Sequence, residues 1–251
     1  MLLFAMGSLA ARLPDLHTVG FELPGRPPLS VSVLEVSDRQ WWAAQSEAAG
    51  SNPFGAKVWP AALGVAEHLS SLPIGGWCDG GVTSALDCCC GNGLVSLTLG
   101  HRGVASVTAT DISPVALELT SQAARAQQLD SITAMRFDLG SSEPLPAAEL
   151  CVFADLFYDE HLGRLVANRV AEAAKRGSWV LVGSHVRSGR DAFLKRLSQL
   201  MPDLEPRPAF RLADERIVRS EALRWKEKRW TLLEFNTPEW AQPLKRCNLN
   251  V

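Results

Sequence analysis

The run SALDCCCGNGLVSL, residues 84–97, sets one acid, three consecutive cysteines and a Gly-Asn-Gly turn side by side. Such residues serve three chemistries: metal binding, thiol redox exchange, or the cradling of a nucleotide-like ligand. A structural zinc site takes about four ligands, usually in separated C-x₂-C pairs. No such pair occurs here, and only His101 lies close by in sequence. Neighbouring strand residues point to opposite faces, which scatters the three thiols and keeps them from bridging one another. Without a C-x-x-C motif a redox role is also poorly supported. The sequence therefore predicts no metal site.

The acids around the turn are more informative. Asp87 precedes it, Asp111 ends the next apolar run 24 positions later, and Asp138 ends a third. A carboxylate at the second strand end can accept from both hydroxyls of a ribose. One at the third strand end is placed to recognise an adenine amino group. Gly91 and Gly93 allow positive φ and close approach of the main chain to a ligand. Cys88 and Cys90 then serve as small wall residues, and Cys89 occupies a position that would suit glycine. A dinucleotide fingerprint would want a third glycine where Ser96 stands. Three carboxylates would also repel a pyrophosphate, so the pattern favours a cationic adenosyl ligand.

These positions need strands that end together at one edge of a sheet. Segments of period 2 and period 3.6 alternate from residue 83 to 202, which predicts a parallel sheet covered by helices. TSALDCC, SVTATDI, SITAMRFD, ELCVFADLFY and SWVLVGS read as successive strands. Ser113 caps a helix with Pro114 at its first position, and Gly103 and Gly177 close two others. The helix HLGRLVANRVAEAAKRG places Leu162, Leu165, Val166, Val170 and Ala173 on one face. Beyond residue 207, AFRLADERIV and WKEKRWTLLEFN predict an antiparallel hairpin on one edge. Upstream, HTVGFELPGRPPLSVSVLEV predicts another hairpin, and WPAALGVAEHLSS a helix with Trp59, Ala62, Leu63, Ala66 and Leu69 in register.

The 251 residues, with 25 Lys+Arg against 27 Asp+Glu, give a net charge of -2 without runs of like sign. That balance argues against a nucleic-acid arm or a membrane-binding face. No apolar run approaches the roughly 20 residues of a membrane span. The apolar start MLLFAMGSLAARLPDL is a poor secretory signal and at most a weak organelle-targeting peptide. Six cysteines without a disulfide pattern fit a reduced, intracellular setting: cytoplasmic first, mitochondrion or plastid as alternatives.

LDCCCGNGLVSL, VTATDIS and RFDLG resemble the cofactor motifs of class I S-adenosylmethionine-dependent methyltransferases. GAKVWPAALGVAEHL and Asp155-Leu156-Phe157-Tyr158 narrow the resemblance to the seven-strand protein lysine methyltransferases called family 16. ADLFYDE is similar to the electron-transfer-flavoprotein β-subunit lysine methyltransferases. The resemblance implies an α/β, doubly wound, Rossmann-like seven-stranded sheet, with the methyltransferase domain at 51–245 and an N-terminal extension and hairpin at 1–50. It implies S-adenosyl-L-methionine as cofactor, held by Trp59, Asp87, Cys89, Gly91, Gly93, Asp111, Ile112, Asp138, Leu139 and Asp155. Asp155 and Tyr158 would border a target-amine channel lined also by Phe157. The implied partner of a monomeric enzyme is a protein substrate. The alternatives are a small-molecule or other N-methyltransferase and a cofactor-binding pseudo-enzyme scaffold.

Overall fold

The computed structural model describes residues 15–47, 53–73, 81–185, 187–202 and 216–237. Two strands, β1 (Leu16–Leu23) and β2 (Leu29–Val36), form an antiparallel hairpin of their own. Helix α1 (Arg39–Glu47), a 3₁₀ turn (Pro53–Ala56) and α2 (Pro60–Ser71) follow. The main domain then alternates β3 (Ser84–Cys88), α3 (Leu94–His101), β4 (Ser106–Asp111), α4 (Pro114–Ala126) and β5 (Ile132–Arg136). It continues through β6 (Leu150–Ala154), α5 (Glu160–Lys175), β7 (Trp179–Ser184) and α6 (Gly189–Leu200), and closes with β8 (Arg216–Ser220) and β9 (Trp225–Phe235).

The large sheet runs β5-β4-β3-β6-β7-β9-β8. Pairs from β5 to β7 are parallel, whereas β9 and β8 pair antiparallel at the edge. The fold is the doubly wound, mostly parallel architecture that the sequence predicts. Chain order reverses on either side of β3, with β4 to one flank and β6 to the other. Open α/β sheets take ligands outside the carboxyl ends of the strands at this kind of switch point.

Alternation along the buried strands feeds two cores. Ala85 and Leu181 pack with α2, α3 and the hairpin, while Leu86, Val180 and Val182 pack with α5 and α6. Gln127, past the end of α4, ties the hairpin down like a strand partner. Its Oε1 accepts from Ser32 N at 3.0 Å and its Nε2 donates to Ser32 O at 2.7 Å.

Some sequence expectations need correction. Helix α2 is buried on nearly every side, including Ala61, Gly64 and Val65, because it packs on the sheet, with Gly64 against Trp230 of β9, and is covered by α3 and the hairpin. Trp59 is its N-cap residue and belongs to the site, not to a buried stripe. The fourth strand stops at Ala154, since Asp155 at φ +60° turns the chain. The N-terminal leader, Cys78, Cys247 and the first seven residues of AFRLADERIV lie outside the described residues. Among those described, no helix is long and apolar enough to cross a membrane.

Candidate functional site

Past β3 the chain makes three left-handed steps: Cys89 at φ +55°, Gly91 at +56° and Gly93 at +84°. Cys90 N donates to Thr110 O at 2.8 Å, and Gly93 N to Cys90 O at 2.9 Å, so the turn is pinned to the neighbouring strand and to itself. Only glycine fits at 93, where a Cβ would meet the Thr120 side chain at 2.7 Å. Cys89 adopts the conformation that glycine would take freely, as its sequence position suggests. The triplet divides: Cys88 is wholly buried in the core, while Cys89 and Cys90 face a cavity. Burial pushes all three thiols well above their usual pKa. Among the described residues, no group of His, Cys, Asp or Glu is arranged to hold a metal ion.

The cavity encloses about 170 Å³ at the carboxyl ends of β3, β4, β5 and β6, and all three strand-end acids line it. Asp87 is 1% exposed, and its Oδ2 accepts from Ser96 N at 3.0 Å and Ser96 Oγ at 2.7 Å. The serine at the third-glycine position therefore binds the strand-end acid to the first turn of α3. Burial raises the Asp87 pKa to about 6, against those two bonds. Asp111 braces the turn from the next strand, accepting from Gly91 N at 3.0 Å and Ser113 N at 2.9 Å. Burial raises its pKa too. Ser113 caps α4 through its hydroxyl, as expected, but Asp111 is not wholly released by that. Asp138 accepts from Gly140 N at 2.8 Å, stabilising its own loop while lining the cavity. Ile112, 38% exposed, and Leu139 add apolar wall beside these acids.

The outer wall is aromatic. Phe54 stacks on Tyr158 with centroids 5.5 Å apart, and Trp59 meets both edgewise at 6.0 and 6.2 Å. Trp59 Nε1 donates to Phe54 O at 2.7 Å, which fixes the 3₁₀ turn to the start of α2. That turn crosses close over Gly91: a Cβ on Gly55 would meet Ala116 Cβ at 2.8 Å. Burial pushes the Tyr158 hydroxyl well above its usual pKa.

Asp155 stands behind this wall. Its Oδ2 accepts from Ala61 N at 2.9 Å, capping α2, and its Oδ1 pairs with Arg187 Nε at 3.2 Å. Neither Asp155 nor Arg187 lines the cavity. The helix that follows Asp155 is capped instead by Asp159, which accepts from Leu162 N. Phe157 leaves the site altogether, packing on Phe193 in the core at 4.6 Å between centroids. Phe54 takes the place expected for it. Sequence reading missed Phe54, Arg187, Lys57 and Phe137. Phe54 alone carried a signal, as an aromatic just ahead of the Trp-led helix.

Residues 85–176 match the methyltransferase domain model. No curated protein matches the chain. Among solved structures, a Thermoplasma acidophilum protein aligns at 16% identity over 67% of this chain and 87% of its own, with a TM-score of 0.44. A TehB-like SAM-dependent methyltransferase from Corynebacterium glutamicum aligns at 19% identity over 64% and 79%, TM-score 0.40. Coclaurine N-methyltransferase, solved with N-methylheliamine and SAH, aligns at 21% identity over 40% of this chain, TM-score 0.36; the chain spans 30% of its length.

The matched segment is similar to a methyltransferase domain, and the cofactor that such a domain calls for is S-adenosylmethionine. The donor set fits that group. Three acids with apolar neighbours suit a sulfonium and an adenosyl moiety, and would repel a diphosphate.

Proposed function

We propose that the protein transfers the methyl group of S-adenosylmethionine to the side-chain amine of lysine in a protein substrate. Asp111 holds the ribose, Asp138 the adenine amino group, and Ile112 and Leu139 flank the ring. Asp87 and the Cys89–Gly93 turn face the methionine end. Trp59 and Tyr158 border the amine channel, and Asp155 supports them from behind.

The observation that carries this reading is the three-ring wall of Phe54, Trp59 and Tyr158 at the cavity. The sulfonium supplies an activated methyl group, so the protein's task is orientation and exclusion of water. Lysine must arrive as the free amine, and its unperturbed pKa is about 10.4. Ring faces attract an ammonium by about 0.5–2 kcal/mol, equivalent to about one pKa unit. Desolvation between the rings opposes this by as much as 3–5 units and prevails, favouring the neutral nucleophile.

The test incubates the protein with labelled S-adenosylmethionine and a proteome extract lacking it, then locates label by mass spectrometry. Methyl groups on lysine of one or a few proteins are expected, and should be lost with Tyr158→Ala. Label only on small amines, or on another residue type, refutes the lysine assignment.

A further inference from the structure

The stretch from Phe137 to Glu149 joins β5 to β6 without regular structure, yet its first residues line the cavity. Something must hold such a loop against the entropy of its open forms. One buried side chain supplies three of the ties, all in the half of the loop next to the cavity. Arg169, on α5 and 8% exposed, donates from Nε to Leu139 O at 2.9 Å. Its Nη1 reaches Glu143 O at 2.9 Å, and its Nη2 reaches Ser141 O at 2.6 Å. Glu172 Oε2 balances the charge at 2.8 Å from Nη1, and the guanidinium lies 5.2 Å from the centre of the Phe137 ring.

We infer that Arg169 is a positioning residue for the adenosyl end of the cavity, acting through Phe137, Asp138 and Leu139 without touching the ligand. The inference rests on the cofactor placement proposed above. Leu162 and Leu165, three residues apart on the same face of α5, line the cavity, and Arg169, four residues further on, continues that stripe. The helix thus presents apolar wall to the ligand and a planar fork to the loop. The fork suits the task, since five donors spread over a rigid plane can reach three separated carbonyls and the Glu172 carboxylate together, one partner more than the three donors of a compact ammonium. Arg176 provides an internal comparison. It ties the far end of the same loop, Nη1 to Leu145 O at 2.8 Å, and shares Glu172, but Leu145 does not line the cavity.

The test is titration calorimetry with S-adenosylhomocysteine and, separately, adenosine. Arg169→Met is expected to weaken both by a similar factor, on the order of tenfold or more. Arg169→Lys should recover part of that loss. Arg176→Met should lower thermal stability while leaving both affinities within about twofold. Should Arg169→Met prove unfolded, Arg169→Lys and Arg176→Met still separate the two roles. An Arg169 variant that binds both ligands as the wild type does, or loses S-adenosylhomocysteine while keeping adenosine, overturns the inference. Wild-type protein that binds neither ligand overturns the cofactor placement and the inference with it.

Discussion

Asp155 Oδ1 lies 3.2 Å from Arg187 Nε, and the Arg187 guanidinium sits over two rings at once, 5.0 Å from the Trp59 centroid and 4.9 Å from that of Tyr158. The carboxylate is 1% exposed, whereas the Arg187 side chain keeps 25% of its surface in water. This asymmetry decides what each substitution does. Arg187→Met leaves a buried carboxylate without its cation, and should cost on the order of 3 kcal/mol. Asp155→Asn leaves a guanidinium that can turn towards solvent, and Asn tolerates the left-handed backbone at φ +60°. The double variant should therefore be more stable than Arg187→Met alone. Denaturant unfolding of the three proteins measures this, and additive losses would show that the pair is not coupled.

Asp87 makes the second prediction. Its folded pKa, about 6, lies above the ordinary 3.8. Above pH 6 it is ionised in both states, and the folded protein carries the burial cost, on the order of 3 kcal/mol. As the pH falls from 6 towards 4 the folded state takes up the proton first, so this part of the stability rises with acid. The free protein should thus gain thermal stability between pH 7.5 and 5, and Asp87→Asn should flatten that gain. Binding should run the other way. Affinity for S-adenosylmethionine, with its sulfonium charge, should fall below pH 6 more steeply than affinity for the neutral thioether S-adenosylhomocysteine. Calorimetry at pH 7.5 and 5.5 reads the ratio; a ratio independent of pH would remove Asp87 from the sulfonium's surroundings.

Most of the fold is written in local pattern. The β3 to β7 alternation, the Ser113 cap and the glycine stops at 103 and 177 follow from period and turn chemistry, and Gly103 and Gly177 do take φ near +85°. The floor of the cavity is legible for the same reason, since Asp87, Asp111 and Asp138 lie at or just past the carboxyl ends of β3, β4 and β5, and parallel strands bring those ends together. Its outer wall is not. Phe54 and Tyr158 are over a hundred positions apart, and only packing of the 3₁₀ turn against the β6 exit stacks them. Arg187 reaches Asp155 across 32 positions, and no spacing rule covers such a contact. Phe157 was misplaced because a left-handed Asp155 rotates the residues after it, and no motif states a φ angle.

Cys89 offers a test of the turn itself. At φ +55° a side chain costs roughly 1–2 kcal/mol relative to glycine, while glycine adds about 0.5–1 kcal/mol of unfolded-state entropy. Cys89→Gly should therefore stay within about 1 kcal/mol of wild type in stability and keep cofactor affinity. Cys89→Val should fall by more than 2 kcal/mol, because a β-branched residue is a poorer fit to the left-handed region. Urea unfolding with and without S-adenosylhomocysteine distinguishes these. A stable Val variant would mean that the chain can rebuild the turn with a different backbone.

The final prediction separates the ring of Tyr158 from its hydroxyl. The ring stacks on Phe54 and receives Arg187, and burial holds the hydroxyl protonated well past neutral pH, which excludes a phenolate base. If the residue acts as wall, Tyr158→Phe preserves the stack and should keep methyl transfer within a few-fold of wild type. Tyr158→Leu keeps apolar volume but loses the ring face, and should slow transfer on the order of tenfold or more while cofactor affinity stays nearly unchanged. Labelled methyl incorporation into extract proteins gives the rates, and calorimetry with S-adenosylhomocysteine gives the affinities. A Phe variant as slow as the Leu variant would instead assign the hydroxyl a direct part in orienting the amine, by a hydrogen bond to its nitrogen.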